Sequence, residues 1–186
     1  MTDAERLGSI LRRSPGVMTV LTTVRDLGLP DPLLFSGAVY QTVWNALTDR
    51  PADYGIKDYD VGYFDDDLSF EAEDRAIRQV AAYLQPPLRA MVEVRNQARV
   101  HLWFEEHYGR PYVALRSTAE ALSRALCTAH AVGVRLEQDD TLTVHAPFGL
   151  EDVFAMRLRL SSSHARGPDW DRVVESTTSR WPEVEV

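Results

Sequence analysis

The sequence predicts an α+β fold: a small mixed β-sheet with helices packed against it. Three observations lead there. Short apolar runs rich in β-branched and aromatic residues recur at Leu33–Phe35, Ile56–Phe64 and Met91–Arg95. The segments between them carry apolar residues at helical spacing and begin on cap residues. A late pair of alternating runs, Val132–Leu136 and Leu142–Ala146, flanks Gln138-Asp139-Asp140 and reads as a hairpin.

In chain order, Asp3–Arg13 is a short helix with Leu7, Ile10 and Leu11 on one side. Ser14-Pro15 is an N-cap and first-turn pair, and the helix it opens is stopped by Gly28 and Pro30. After the strand at Leu33–Phe35 the chain turns at Ser36-Gly37 into a third helix bearing Val39, Val43, Trp44 and Leu47. Ser69 caps a fourth, whose first turn holds Glu71, Glu73 and Asp74 at the positive end of the dipole. Residues 96–108 fit a helix capped by Asn96 better than a strand. Thr118–Cys127 is a short helix, 154–160 alternates like a strand, 161–168 reads as a linker, and 170–177 is a last helix. One domain is expected over residues 1–186, with a core at about 15–105 and an α/β extension at about 111–186.

The chain holds 186 residues, 45% hydrophobic and 26% charged, with a formal net charge of −8. That balance excludes a sequence-independent binder of long nucleic acid, which needs Lys and Arg to displace counterions. A small anionic substrate stays open, because a divalent cation can supply the positive charge. The single cysteine, Cys127, permits neither an internal disulfide nor a cysteine-based metal site, and is expected in the core. No apolar run reaches membrane-spanning length and the first residues form no signal core, so a cytoplasmic protein without membrane contact is expected.

One stretch departs from ordinary strand composition. In G-I-K-D-Y-D-V-G-Y-F-D, residues 55–65, Asp58 and Asp60 stand two apart in an apolar run. Alternation places them on one face about 7 Å apart, a spacing from which two carboxylates can serve a pair of divalent ions. Mg²⁺ needs one or two protein carboxylates when substrate phosphates complete its shell. The stretch F-S-G-A-V-Y-Q-T-V-W-N supplies a matching phosphate cradle. Gly37 permits close backbone approach, and the N–H groups of Ala38 and Val39 open the helix toward an anion. Other candidates are weaker. His101, Glu105 and His107 lack a fourth zinc ligand, and Trp44 and Trp103 read as packing residues. Asn96, Arg99 and His101 read equally as a hydrogen-bonded scaffold and as contacts to phosphate or base.

These motifs resemble the nucleotidyltransferase superfamily typified by DNA polymerase beta and the small antibiotic and antitoxin nucleotidyltransferases. The strand, Ser-Gly turn, helix and acid-x-acid strand occur in that family's order. More narrowly, G-A-V-Y-Q-T-V-W-N, V-R-N-Q-A-R-V-H-L-W, A-V-G-V-R, A-P-F-G-L-E-D-V-F and the terminal R-W-P look like a bacterial nucleotidyltransferase-like family of unassigned substrate, over nearly the whole chain. The resemblance implies that Ser36 and Gly37 form the phosphate-binding turn, and with Ala38 and Arg99 they make up the expected nucleotide-binding set. It also implies a metal-binding and catalytic set of Asp58, Asp60 and Glu93, the last drawn from M-V-E-V-R on an adjacent strand. Mg²⁺ or Mn²⁺ is the implied cofactor and an NTP, with ATP foremost, the implied substrate. Two departures stand out: Ala38 offers no hydroxyl after the signature Gly, and Asp58 lies 21 residues after Gly37. Three functions follow as alternatives: an active transferase of a nucleoside monophosphate to a hydroxyl on a small molecule, protein or RNA; a nucleotide-binding sensor without catalysis; and an interaction protein of the toxin–antitoxin kind.

Overall fold

A computed structural model describes all residues, Met1–Val186. Eight α-helices and five strands follow in the order α1 (Asp3–Leu11), α2 (Pro15–Leu27), β1 (Leu33–Phe35), α3 (Gly37–Leu47), β2 (Tyr59–Tyr63), α4 (Phe70–Tyr83), β3 (Val92–Asn96), α5 (Phe104–Tyr108), α6 (Thr118–Leu122), β4 (Gly133–Leu136), β5 (Leu142–His145), α7 (Glu151–Phe154) and α8 (Pro168–Thr178). Local chemistry explains most boundaries. Ser14 accepts from the Val17 amide at the start of α2, and Gly28 ends that helix at φ 66°. Ser69 accepts from the Ala72 amide at 3.2 Å to open α4.

The strands form one mixed sheet in the order β3-β2-β1-β4-β5. Only β2 and β3 run parallel; the other three pairs are antiparallel. The register places Val94, Val61, Leu34, Val134 and Val144 in one row across the sheet. The first four are buried in a cluster of 33 residues that runs from Leu7 to Val184, and Val144 packs against it. The helices α1 to α4 lie on this face. The neighbouring row, Glu93, Asp60, Phe35 and Gly133, must point the other way. There a small cluster of Leu33, Leu122 and Ala131, with Phe35 against it, covers only the middle of the sheet.

Three expectations need correction. Residues 154–160 are not a strand: α7 takes Phe154, and Met156 at φ 51° interrupts the extended run. Leu158 bonds to Glu185 while the Arg159 carbonyl accepts from Thr128, so the two edges of the segment take different partners and no ladder forms. The acid-bearing strand starts at Tyr59, whose amide donates to Met91 at 2.8 Å, so Asp58 precedes it. Residues 96–108 are helical but broken at Trp103, into a 3-10 segment (Gln97–Leu102) and α5.

The segment after Arg110 adds β4 and β5 to the sheet edge of β1 and sends Trp181 beneath α3. Trp181 is fully buried and its Nε1 donates to Asn45 Oδ1 at 2.9 Å. Asn45 Nδ2 in turn donates to the carbonyls of Ala52 and Tyr54, fixing the loop that leads to Asp58. Trp181→Ala is expected to destabilise the chain by about 3–5 kcal/mol. Calorimetry should show one unfolding transition moving as a whole; two separate transitions would mean that residues 111–186 unfold on their own.

Candidate active site

Two of the three candidate carboxylates, Asp60 and Glu93, lie side by side on the open face of the sheet. Asp60 and Glu93 are register partners on the parallel strands β2 and β3, so their side chains stand next to each other. Asp58 arrives from the preceding loop rather than by strand alternation. Its Oδ1 lies 3.8 Å from the point a Cβ on Gly37 would occupy. Burial, followed by the negative charges of Asp58 and Glu93, pushes the Asp60 carboxyl up to about 7, and Arg95 opposes them. Asp60 and Glu93 line a cleft of about 770 Å³ together with Ser36, Arg95 and aromatic side chains of α5 and its flanks.

The turn opposite the acids is under backbone strain. Ser36 has φ 58° and ψ −126°, a region that L residues avoid, and its side chain makes no capping bond. Its amide donates to the Val132 carbonyl at 2.9 Å, which holds the turn in place from β4's side. The helix amides differ from expectation. Val39 donates to the Ser36 carbonyl at 3.0 Å, because the first turn of α3 closes on it, so Gly37 and Ala38 carry the amides left without a protein acceptor. A methyl on Gly37 would sit 3.2 Å from Gln41 Nε2, so glycine here preserves room between helix and acids. The Gln41 side-chain oxygen, buried beside it, has no partner.

Arg99 takes the scaffold role, one of the two that its sequence context allows. Its guanidinium pairs with Glu73 and donates to the Leu68 carbonyl at 2.9 Å, so its charge is already neutralised although it lines the cleft. From the sequence Glu73 reads only as an acid in a helix first turn, because its partner lies 26 residues away. Asn96 likewise serves the scaffold, bonding Asp65 through both ends of its amide. Cys127 is a free thiol buried in the core. Asp152 is buried against Arg157, Arg159 and the Thr128 hydroxyl, a local ion pair away from the acids.

No three His, Cys, Asp or Glu side chains converge closely enough to form a complete metal cage. The donor chemistry nonetheless suits a hard divalent cation that brings its own phosphate oxygens. Asp60, flanked by two acids and a single arginine, is held in a protonation balance that a cation would tip.

A family model described as nucleotidyltransferase matches residues 22–186. A solved structure described as "The NMR structure of the protein reveals a CCA-adding enzyme head domain" has the same fold, with a TM-score of 0.74 at 26% identity, covering 97% of this chain and 94% of that chain. No curated protein matches the sequence.

The metal-free chain should respond to pH through Asp60. Its folded carboxyl titrates near 7 against an ordinary 3.8, so the folded state keeps a proton that the unfolded state has lost. Stability from this group is therefore full below about pH 4 and lost as pH rises through about 7. Asp60→Asn should flatten that part of the profile and raise Tm at pH 8 by roughly 2–4 °C for each kcal/mol of repulsion removed. An unchanged pH profile in the mutant would show that Asp60 is not the group concerned.

Proposed function

The chain belongs to the nucleotidyltransferase family, and from that premise we propose that it is an active, divalent-metal-dependent transferase moving a nucleoside monophosphate from an NTP to a hydroxyl. The observation that carries this reading is the juxtaposition of Asp60 with Glu93 on adjacent parallel strands, while Asp58 abuts the Ser36-Gly37 turn. A protein that only bound nucleotide would need the turn and the acids nearest it, but no third carboxylate on the far side.

Asp58 and Asp60 would hold Mg²⁺ or Mn²⁺, which supplies charge neutralisation for the phosphates when bound. The amides of Gly37 and Ala38, at the N-terminus of α3, receive phosphate oxygens. Glu93, exposed at the cleft and beside Asp60, accepts the proton of the attacking hydroxyl. The hydroxyl oxygen forms a new bond to the α-phosphorus, the bond from that phosphorus to its bridging oxygen breaks, and pyrophosphate leaves with the electron pair. The aromatic lining of the larger cleft, including Trp103, Phe104 and Tyr112, suits a planar group of either nucleotide or acceptor. The solved structure of like fold is described as a CCA-adding enzyme head domain. A net charge of −8 here favours an acceptor that presents little more than its reacting end.

The test is pyrophosphate release from each of the four NTPs with Mg²⁺, set beside equilibrium binding. Glu93→Gln should keep Mg–NTP affinity within about threefold while slowing release by a factor of roughly 10²–10⁴, the range for loss of a general base. Asp60→Asn should lose metal-dependent NTP binding itself. If Glu93→Gln binds and turns over like the parent, the base assignment fails. Should the parent bind NTP yet release nothing in the presence of any hydroxyl acceptor tried, the sensor reading replaces this one.

A further inference from the structure

A second cleft of about 480 Å³ opens on the other side of Ser36. Ser36, Phe35, Gln97, Phe104 and Tyr112 line both clefts, so the two are continuous across the turn. Their chemistry differs. The first holds Asp60, Glu73 and Glu93, whereas the second has no carboxylate in its lining although the chain carries 28 acids. It is lined instead by Arg110 and Arg124.

These two arginines are held differently from most in the chain. Arg99, Arg135, Arg157 and Arg159 each pair with a carboxylate. Arg110 and Arg124 instead stack on aromatic rings. Arg110 Cζ lies 5.5 Å from the Phe104 centroid and Arg124 Cζ lies 5.1 Å from the Tyr112 centroid. The Phe104 and Tyr112 rings are themselves 4.5 Å apart. The stack fixes two cations on one wall while leaving the N–H edges of both guanidinium planes free, a geometry matched to phosphate oxygens. The imidazole of His130 completes the lining, its Nε2 buried without a partner, and burial depresses it to about 4 so that it adds no charge at neutral pH.

We propose that Arg110 and Arg124 receive the β- and γ-phosphates of the NTP and hold the pyrophosphate as it departs. This rests on the transferase reading above for its orientation. In-line displacement requires the attacking oxygen and the leaving group on opposite sides of the phosphorus. Glu93 lines only the first cleft and the two arginines only the second, with Ser36 in the wall of both. The carboxylate that takes the proton and the cations that take the leaving charge are thus in different clefts that share the Ser36 wall. The aromatic stack also gives Phe104 and Tyr112 a role beyond packing: they position the cations.

Tripolyphosphate, pyrophosphate and AMP separate this subsite from the rest of the site when titrated calorimetrically into the full chain without divalent metal. The parent should bind tripolyphosphate and pyrophosphate more tightly than AMP. The doubly substituted Arg110→Gln/Arg124→Gln chain should lose at least tenfold for both polyphosphates and stay within twofold for AMP. Both side chains are exposed, so the variant is expected to keep the parental circular dichroism and Tm. Arg124→Lys, which keeps the charge and loses the planar stack, should lie between parent and double variant. A parent that binds no tripolyphosphate, binds AMP equally well, or loses nothing on double substitution overturns the proposal. Asp60→Asn should leave metal-free tripolyphosphate binding intact. A chain that binds polyphosphate through these arginines but releases none from any NTP would keep this assignment while ending the transferase reading.

Discussion

Everything at this site depends on the parallel register of two strands. A parallel pair cannot be joined by a tight turn and needs a crossover of a dozen residues or more. Residues 64–91 make that crossover, with α4 as its helix, and α4 covers the face that carries Val61 and Val94. The acids are left on the face that stays open. A slip of one residue would bury Glu93 and expose Val94. Asn96 guards against it at the end of β3. Its side chain bonds Asp65 from both sides, and its own amide donates to Glu73 Oε1 at 2.9 Å, so strand, crossover and helix are locked at one point. Arg99 then neutralises Glu73, and this is why an arginine that lines the cleft is not free to meet a phosphate.

The other half of the site is held from a distance. The strained Ser36 is tied by its amide to Val132, just before β4, so a strand from the C-terminal segment keeps the turn in its unfavourable conformation. The loop that delivers Asp58 is fixed in the same manner. Trp181 reaches it through Asn45, and Arg180 donates to the Gly55 carbonyl at 2.7 Å. The terminal R-W-P segment touches no candidate catalytic group, yet it sets the path of the chain into β2. On this basis the C-terminal residues are part of the site's support rather than an addition to it.

What the sequence disclosed follows from the range of the interactions involved. Caps and stops are local, so the starts of α2 and α4 and the end of α2 could be read directly from Ser14-Pro15, Ser69 and Gly28. The acid-x-acid run and the Ser-Gly turn were visible because each breaks a composition rule within a few residues. Pairing across the chain was not visible. Glu73 with Arg99, and Arg110 with Arg124, acquire meaning only when folding brings separate segments to one wall. Residues 154–160 misled for a related reason. Alternation records that every second residue is buried, which Met156 and Leu158 are, but says nothing about whether a neighbouring strand exists to pair with.

Charge arrangement links these points. For a chain of net charge −8 to bind the polyanion proposed here, its acids must be kept from repelling the ligand and its arginines from being consumed by those acids. The fold does both by position. Paired arginines sit with carboxylates on the scaffold, as in Arg99 with Glu73 and Arg157 and Arg159 with Asp152. Arg110 and Arg124, which have no carboxylate partner, stand over aromatic rings, where the ring face attracts the cation without cancelling its charge toward a third group. Asp58, Asp60 and Glu93 form no salt bridge, and a divalent cation would be a natural counter-charge there. Negative and positive groups therefore line two clefts that share the Ser36 turn. A triphosphate laid across that turn finds attraction at its terminal end and requires a cation at its α-phosphate. On the reading proposed above, this separation of charge would set the direction in which a nucleotide enters, independently of which base it carries.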